Sequence, residues 1–322
     1  MIIDLTMLKK YFHVQHTSTA ILNIGIFRAK IMNLENKLSG WTNPSSETEQ
    51  EKQDRTERMI RQAIDSHEPF NNCSLKVFAK GSYANNTNVR SDSDVDIAVE
   101  CTDVLYWEEA EPGTYKPGNP YDGVWTPAKL RAELVAALKF KFPNQVDTSG
   151  TTAIQINSNS SRIDADVVPC FSYEYQMKYE TRRGTKIFKT DYSNIVNYPV
   201  QQLENGIAKN KRTGYAYKKG ARLLKRIENA MAEDGTFREL PSYFMECLAY
   251  NCPDNVFTQS TWTECLRGML IYIWDNLQGD EPSSNRWLEV NKYFFLFHSN
   301  QKWTREDGRE FAKAAWNYFG FK

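Results

Sequence analysis

The stretch GSYANNTNVRSDSDVDIAVE, residues 81–100, decides how this sequence is read. Gly81-Ser82 follows one apolar run, SLKVFA at 74–79, and about a dozen polar residues separate it from a second, DVDIAV at 94–99. Both runs have the length and composition of strands. Side chains alternate across a strand, so Asp94, Asp96 and Ala98 share one face, and Val95, Ile97 and Val99 share the other, which goes to the core. The two carboxylates therefore point the same way. Like charges that close are costly unless a cation neutralises them, and a hard divalent ion with oxygen ligands is the natural solution.

A metal pair engaged in phosphoryl transfer needs at least one more carboxylate. The later segment RIDADVV, 162–168, reads as a strand ending at Pro169, with Asp164 and Asp166 on one face. If it lies beside DVDIAV, Asp166 is level with the catalytic cleft, and two ions so held can activate an attacking hydroxyl and neutralise departing pyrophosphate. Gly81-Ser82 then has a use. Glycine lets the backbone approach a phosphate, and the serine hydroxyl with nearby amides forms a nest-like cradle for its oxygens. The chain has no GxxxxGK[ST], which counts against P-loop ATPases and favours nucleotidyl transfer.

Outward from this stretch, the apolar positions Ile21, Ile24, Phe27, Ile31, Leu34 and Leu38 mark one face of a helix that Gly40 stops. Ser46-Glu47-Thr48-Glu49 has capping-box form ahead of a charged helix running to about His67. The segment from Trp107 to Trp125 reads as a surface loop. Thr126-Pro127 starts a helix whose buried face is Leu130, Leu134, Val135 and Leu138. Strands are expected near 151–156 and 162–168. After Pro199 the pattern is helical, at about 214–232, 241–251, 261–277, 286–296 and 305–318. The order predicts an α+β protein of two lobes: a catalytic lobe over residues 1–200 with a mixed sheet, and a mainly helical lobe over 201–322 closing a ligand cleft.

Forty Lys and Arg residues balance forty Asp and Glu, so no global field recruits a polyanion, and no obligate nucleic-acid partner is expected. The six cysteines, at 73, 101, 170, 247, 252 and 265, have no zinc spacing and read as reduced thiols. His13 and His16 lack an acidic or thiol partner motif, so a solvated N-terminal segment is the better reading than a metal pair. No apolar run approaches the ~20 residues that span a bilayer, and the start has no signal-peptide form, so the expectation is a cytoplasmic protein without a membrane.

Gly-Ser, a spacer, Asp-x-Asp and a later Asp on another strand together resemble the DNA polymerase β-like nucleotidyltransferases. More narrowly, GSYANNTNVRSDSDVDIAVE, ADVVPC, NYPVQQLENGIAKN, TGYAYKKGARLLK and LPSYFMECLAYN resemble the bacterial cGAS/DncV-like nucleotidyltransferases, and most their clade E. The resemblance implies a synthase dependent on Mg2+, two ions, with Mn2+ as a substitute. Such an enzyme joins nucleoside triphosphates (ATP, with UTP or GTP) into a cyclic oligonucleotide, and its product drives the effector protein of an antiphage (CBASS) system. By position, Asp94 and Asp96 would bind both ions. Asp166 would be the third carboxylate and activate the attacking ribose hydroxyl, and Asp164 would be a supporting or solvent-exposed neighbour. A cyclic dinucleotide containing a pyrimidine, uridine included, fits clade E.

Lys218, Arg222 and Lys225 fall on one helix face at i, i+4 and i+7, a basic stripe suited to a triphosphate tail. Family position favours Lys218 and Lys225, and Arg222 could instead pair with Glu246. Asn197 sits at the expected hinge between lobes, where its amide could read a base edge such as that of uracil; a turn-forming Asn before Tyr-Pro is the plain alternative. Tyr83, Tyr192 and Tyr198 are stacking candidates. A linear, template-independent transferase and an inactive nucleotide-binding module are the rival readings. The neutral charge weighs against the first, and the three retained carboxylates against the second.

Overall fold

The computed structural model describes residues 32–89, 94–113, 115, 118 and 120–322. His13, His16 and the first four positions of the predicted N-terminal stripe lie outside the described residues. The helix expected there is seen over residues 32–41, α1. Helix α2 (Glu47–Asp65) begins as its sequence predicts. The Glu49 N–H donates to Ser46 Oγ at 3.3 Å and the Ser46 N–H donates to Glu49 Oε2 at 2.7 Å, satisfying two donors that a helix start leaves free.

Strand β1 (Leu75–Lys80) runs into a single helical turn, α3 (Gly81–Ala84). Strand β2 (Val95–Glu109) is longer than the sequence suggested and takes in the start of the expected loop, with an irregularity in its pairing between Cys101 and Leu105. Helix α4 (Pro127–Lys141) is capped by Thr126, whose Oγ1 accepts from the Lys129 N–H at 3.2 Å. It buries Leu130, Leu134 and Leu138. Strands β3 (Val146–Asp147), β4 (Ile154–Ile156) and β5 (Ala165–Gln176) follow, then β6 (Thr181–Phe188) and β7 (Asn194–Asn197), which the sequence reading did not foresee.

The sheet order is β1-β2-β5-β4-β3, with β6 pairing the far half of β5 and β7 pairing β6. Strands β2 and β5 are parallel and their other neighbours antiparallel. On one face Val95, Ile97, Val99, Cys101 and Val167 are buried with Ile60 and Ile64 of α2 and the leucines of α4. That packing fixes the other face, carrying Asp96, Ala98 and Val168, toward the rest of the chain.

The rest is helical: α5 (Pro199–Arg212), which was not anticipated, then α6 (Tyr217–Glu233), α7 (Ser242–Asn251), α8 (Trp262–Asn276) and α9 (Arg305–Tyr318). Their common core holds Leu223, Leu224, Ile227, Phe244, Leu248, Met269, Ile273 and Phe311. The helix expected over 286–296 is absent. In its place Leu288 and Phe295 form an antiparallel bridge around a turn in which Asn291 Oδ1 accepts from the N–H groups of Tyr293 and Phe294, at 2.8 and 3.1 Å. A short amide that captures nearby backbone donors competes with the helix ladder, and apolar spacing alone does not register that.

Helix α1 belongs with this helical core although it precedes the sheet: Leu38 is fully buried in it and Trp41 meets Phe319 edge to face at 6.3 Å between ring centres. The segment after α1 is fastened to α6. Arg226 Nη1 donates to the carbonyls of Gly40, Trp41 and Asn43, and Arg222 Nε to that of Thr42. No helix among the described residues is long and apolar enough to cross a membrane.

Candidate active site

The site is assembled where β1 ends. Gly81 has φ +67°, a conformation that side chains disfavour, and a Cβ there would collide with Asp96 Oδ2. Glycine is what allows the turn to press against the carboxylate. Sheet register brings the charged residues level: Asp96 on β2 is the pairing partner of Lys80 on β1 and of Asp166 on β5, and Gln155 on β4 pairs with Asp166 from the far side. Lys80 Nζ stands 3.4 Å from Asp96 Oδ1.

Asp166 Oδ1 is buried with no hydrogen-bond partner. Burial, followed by the Asp96 charge, holds the Asp166 carboxyl above its usual range, with a hydrogen bond from Gln155 and the Lys80 charge opposing. Asp164 Oδ1 accepts from the Ser158 N–H at 2.5 Å, so this neighbour is anchored to its own loop.

Two cavities meet here. One, of about 790 Å³, is lined by Ser82, Asp94, Asp96, Asp164 and Asp166 from the sheet and by Glu228, Asn229, Glu239 and Ser242 from the helical side. The other, of about 330 Å³, is lined by Lys80, Gly81, Ser82 and Asp96 together with Asn197, Tyr198, Gln202, Lys225, Glu246, Glu289 and Asn291. Ser82, Asp96 and Ser242 border both. The structure thus gathers Gly81, Ser82, Asp94, Asp96, Asp166, Asn197 and Lys225 around adjoining spaces. Lys218 lines neither cavity. It is half-buried, its backbone N–H donates to Asn210 Oδ1 at 3.1 Å, and burial lowers its pKa while Glu246 raises it.

The basic stripe is used in an unexpected way. Lys225 is 2% exposed and its Nζ lies 3.0 Å from Glu246 Oε2 and 3.1 Å from Thr87 Oγ1. The Thr87 hydroxyl donates to the same Glu246 oxygen at 2.6 Å. Glu246 is therefore the partner of Lys225 and not of Arg222, whose guanidinium donates instead to the carbonyls of Thr42 and Asn86. Both side chains of α6 grip the segment just past the Gly81–Ala84 turn. Of the tyrosines, Tyr83 donates to Asp54, and Tyr192 is 84% exposed. Tyr198 is buried against Tyr293 at 4.8 Å and Phe294 at 5.3 Å.

Lys80, Thr87 and Glu289 were missed by the sequence reading, and Glu246 was named there only as a partner for Arg222. Lys80 directly precedes Gly81-Ser82 and could have been found. The others are defined by contacts across the chain. Glu289 is a buried carboxylate raised by its burial, and it accepts from Asn291 at 2.7 Å and Gln301 at 2.5 Å.

The donor set suits hard divalent cations. It consists of carboxylates from two adjacent strands, with an orphaned buried oxygen on Asp166 and mutual repulsion that a cation would relieve. Among the described residues, the only trio of His, Cys, Asp or Glu ligand atoms mutually within 4.8 Å is Cys73, Cys101 and Asp103, near the start of β1. The aspartates form the more open arrangement.

The chain is similar to known proteins over most of its length. Residues 204–320 match the model of the cGAS/DncV-like nucleotidyltransferase C-terminal helical domain. The chain is 35% identical over 292 residues to a cyclic dipyrimidine nucleotide synthase CdnE of Cecembia lonarensis, covering 89% of this chain and 98% of that one. It is 38% identical over 288 residues to the enzyme of the same name from Legionella pneumophila, covering 86% and 95%. The structure of the Elizabethkingia meningoseptica CdnE cyclic dinucleotide synthase with GTP and Apcpp superposes with a TM-score of 0.75 at 32% identity, covering 89% of this chain and 99% of that one. At these identities and coverages the chain belongs to the cGAS/DncV-like nucleotidyltransferases, enzymes that synthesise cyclic nucleotides.

Proposed function

We propose that this protein joins two nucleoside triphosphates into a cyclic dinucleotide containing at least one pyrimidine. The observation that carries the reading is the register of β2 with β5, which sets Asp96 beside Asp166 against the Gly81 turn. The dipyrimidine synthases among the relatives support the pyrimidine, and the Elizabethkingia structure with GTP makes a purine partner the competing outcome.

In this reading the catalytic lobe expected over residues 1–200 gives up α1 to the helical lobe of 201–322. The backbone amides of the Gly81-Ser82 turn and the Ser82 hydroxyl hold triphosphate oxygens, and Lys225, on the wall of the smaller cavity, supplies positive charge, whereas Lys218 lines neither cavity and has no part in it. Asp94, Asp96 and Asp166 would hold two Mg2+ ions, which when bound acidify the attacking hydroxyl and neutralise the departing pyrophosphate. Asp166 accepts the proton of the attacking ribose hydroxyl. Asn197, on the wall of the smaller cavity, reads the edge of a base. The enzyme works in the cytoplasm, and its product activates a separate effector in antiphage defence.

The test is incubation with Mg2+ and each combination of labelled ATP, GTP, CTP and UTP, then phosphatase treatment and separation. A phosphatase-resistant product carrying pyrimidine label is expected, and Asp94→Ala and Asp96→Ala should abolish it in folded protein. Phosphatase-sensitive oligomers would replace this reading with a linear transferase.

A further inference from the structure

We propose that Cys73 and Cys101 form a reversible disulfide tying together the two ends of the hairpin that carries the candidate catalytic residues. Their sulfurs are 3.6 Å apart, in contact but not bonded. Cys101 is fully buried on the core face of β2, opposite Leu75 of β1 in the sheet register, and Cys73 lies two residues ahead of that Leu, partly exposed. Cys73 is therefore the more accessible residue of the pair. The Cys73 S–H donates to Cys101 Sγ, and the backbone N–H groups of Asp103 and Val104, at the irregularity of β2, add to it. Those three donors hold the Cys101 thiol below its usual range against the effect of burial, while Cys73 is raised by its bond to Cys101 and by burial. A thiolate beside a second thiol that a reagent can reach is the arrangement from which disulfides form.

The chemistry balances with a small-molecule disulfide as oxidant, glutathione disulfide for example. Cys73, once deprotonated, attacks one glutathione sulfur. The glutathione S–S bond breaks, and one glutathione leaves and takes up the proton that Cys73 gave up. The Cys101 thiolate then attacks the Cys73 sulfur and expels the second glutathione, which takes the proton that Cys101 gave up. Two protein thiols have lost two electrons and one disulfide has become two thiols.

The bond would close the chain from 73 to 101, a loop that contains β1, the Gly81-Ser82 turn, Asp94 and Asp96. The two ends are already hydrogen-bonded in the sheet, the Thr102 N–H donating to the Ser74 carbonyl at 2.9 Å, so the backbone is held close and only the gap between the sulfurs has to shorten. The effect falls on the unfolded chain, whose freedom is cut. Asp103 lies within 4.8 Å of both sulfurs and could complete a site for a thiophilic cation, but its Oδ2 already accepts from the Ser74 N–H at 3.0 Å.

The whole protein is equilibrated with glutathione at graded oxidised-to-reduced ratios, quenched in acid, denatured and alkylated, then weighed intact and mapped by peptide. Expected are two fewer alkyl groups, a peptide linking Cys73 to Cys101, reversal by dithiothreitol, and a thermal midpoint raised by about 5 °C. Cys73→Ser and Cys101→Ser should each remove the link and the added stability. Alkylation of all six thiols at the most oxidising ratio would overturn the proposal. So would a lasting glutathione adduct on Cys73 beside a free Cys101, a link between other cysteines, or stoichiometric zinc bound by the two thiols.

Discussion

Replacing Gly81 by alanine adds one methyl group, and the structure says where it goes. At φ +67° an alanine sits in the left-handed region, which costs about 1–2 kcal/mol. The stiffer unfolded chain of Gly81→Ala returns about 0.4–1 kcal/mol of that. The net loss is about 1 kcal/mol, a fall of roughly 1–2 °C in melting temperature for a chain of 322 residues. The second consequence is chemical. The new Cβ would collide with Asp96 Oδ2, and the carboxylate can rotate away at small energetic cost because it is the free end of a short side chain. That carboxylate is the one beside Asp166 and Lys80, and a displacement of ~1 Å at a reacting centre is worth roughly 100-fold in rate. Gly81→Ala should therefore be a folded, nearly inert enzyme. The assay pairs calorimetry with the initial rate of phosphatase-resistant product at saturating triphosphate. Turnover within about threefold of the native enzyme would refute the placement of Asp96 at the reacting centre.

Asp166→Asn should raise the melting temperature of protein kept in EDTA near neutral pH. A carboxyl raised in the folded state binds more protons there than in the unfolded chain, so stability falls as pH climbs through the carboxylate range, and the asparagine variant escapes that loss. Melting curves that superpose at pH 7 would sink the prediction. Lys225→Ala leaves Glu246 charged and buried, and should cost about 3–5 kcal/mol, whereas Lys225→Met combined with Glu246→Gln should recover most of it. Denaturant titration of the two variants decides between a buried pair and a solvated lysine. Asn197→Ala should shift the ratio of bases incorporated from an equimolar mixture of four triphosphates, read by mass spectrometry of the product; an unchanged ratio returns Asn197 to a turn residue.

What sequence pattern could reveal here was local or periodic. Ser46-x-x-Glu49 and Thr126-Pro127 cap their helices as written, and alternation in DVDIAV correctly parted the aspartates from Val95, Ile97 and Val99. Strands β6 and β7 escaped because Thr181–Phe188 is charged and half-exposed, with pairing rather than apolar pattern defining it. The false helix over 286–296 had the right spacing of large apolar residues, and the Asn291 amide overrode it. The basic face of α6 was visible as a stripe, but its targets, Glu246 and the carbonyls of Thr42 and Asn86, stand 21 to 180 positions away and no spacing rule reaches them.

Because α1 packs with α9 while α2 already lies under the sheet, the backbone passes between the two halves at two places, after residue 41 and again near Pro199. A body joined to another at two points can swing about the line through them but resists twisting and sliding. One of those points is fastened to α6 by Arg222 and Arg226. Any relative motion of the two halves is thereby guided by both crossings and works against the hydrogen bonds of Arg222 to Asn86 and of Lys225 to Thr87.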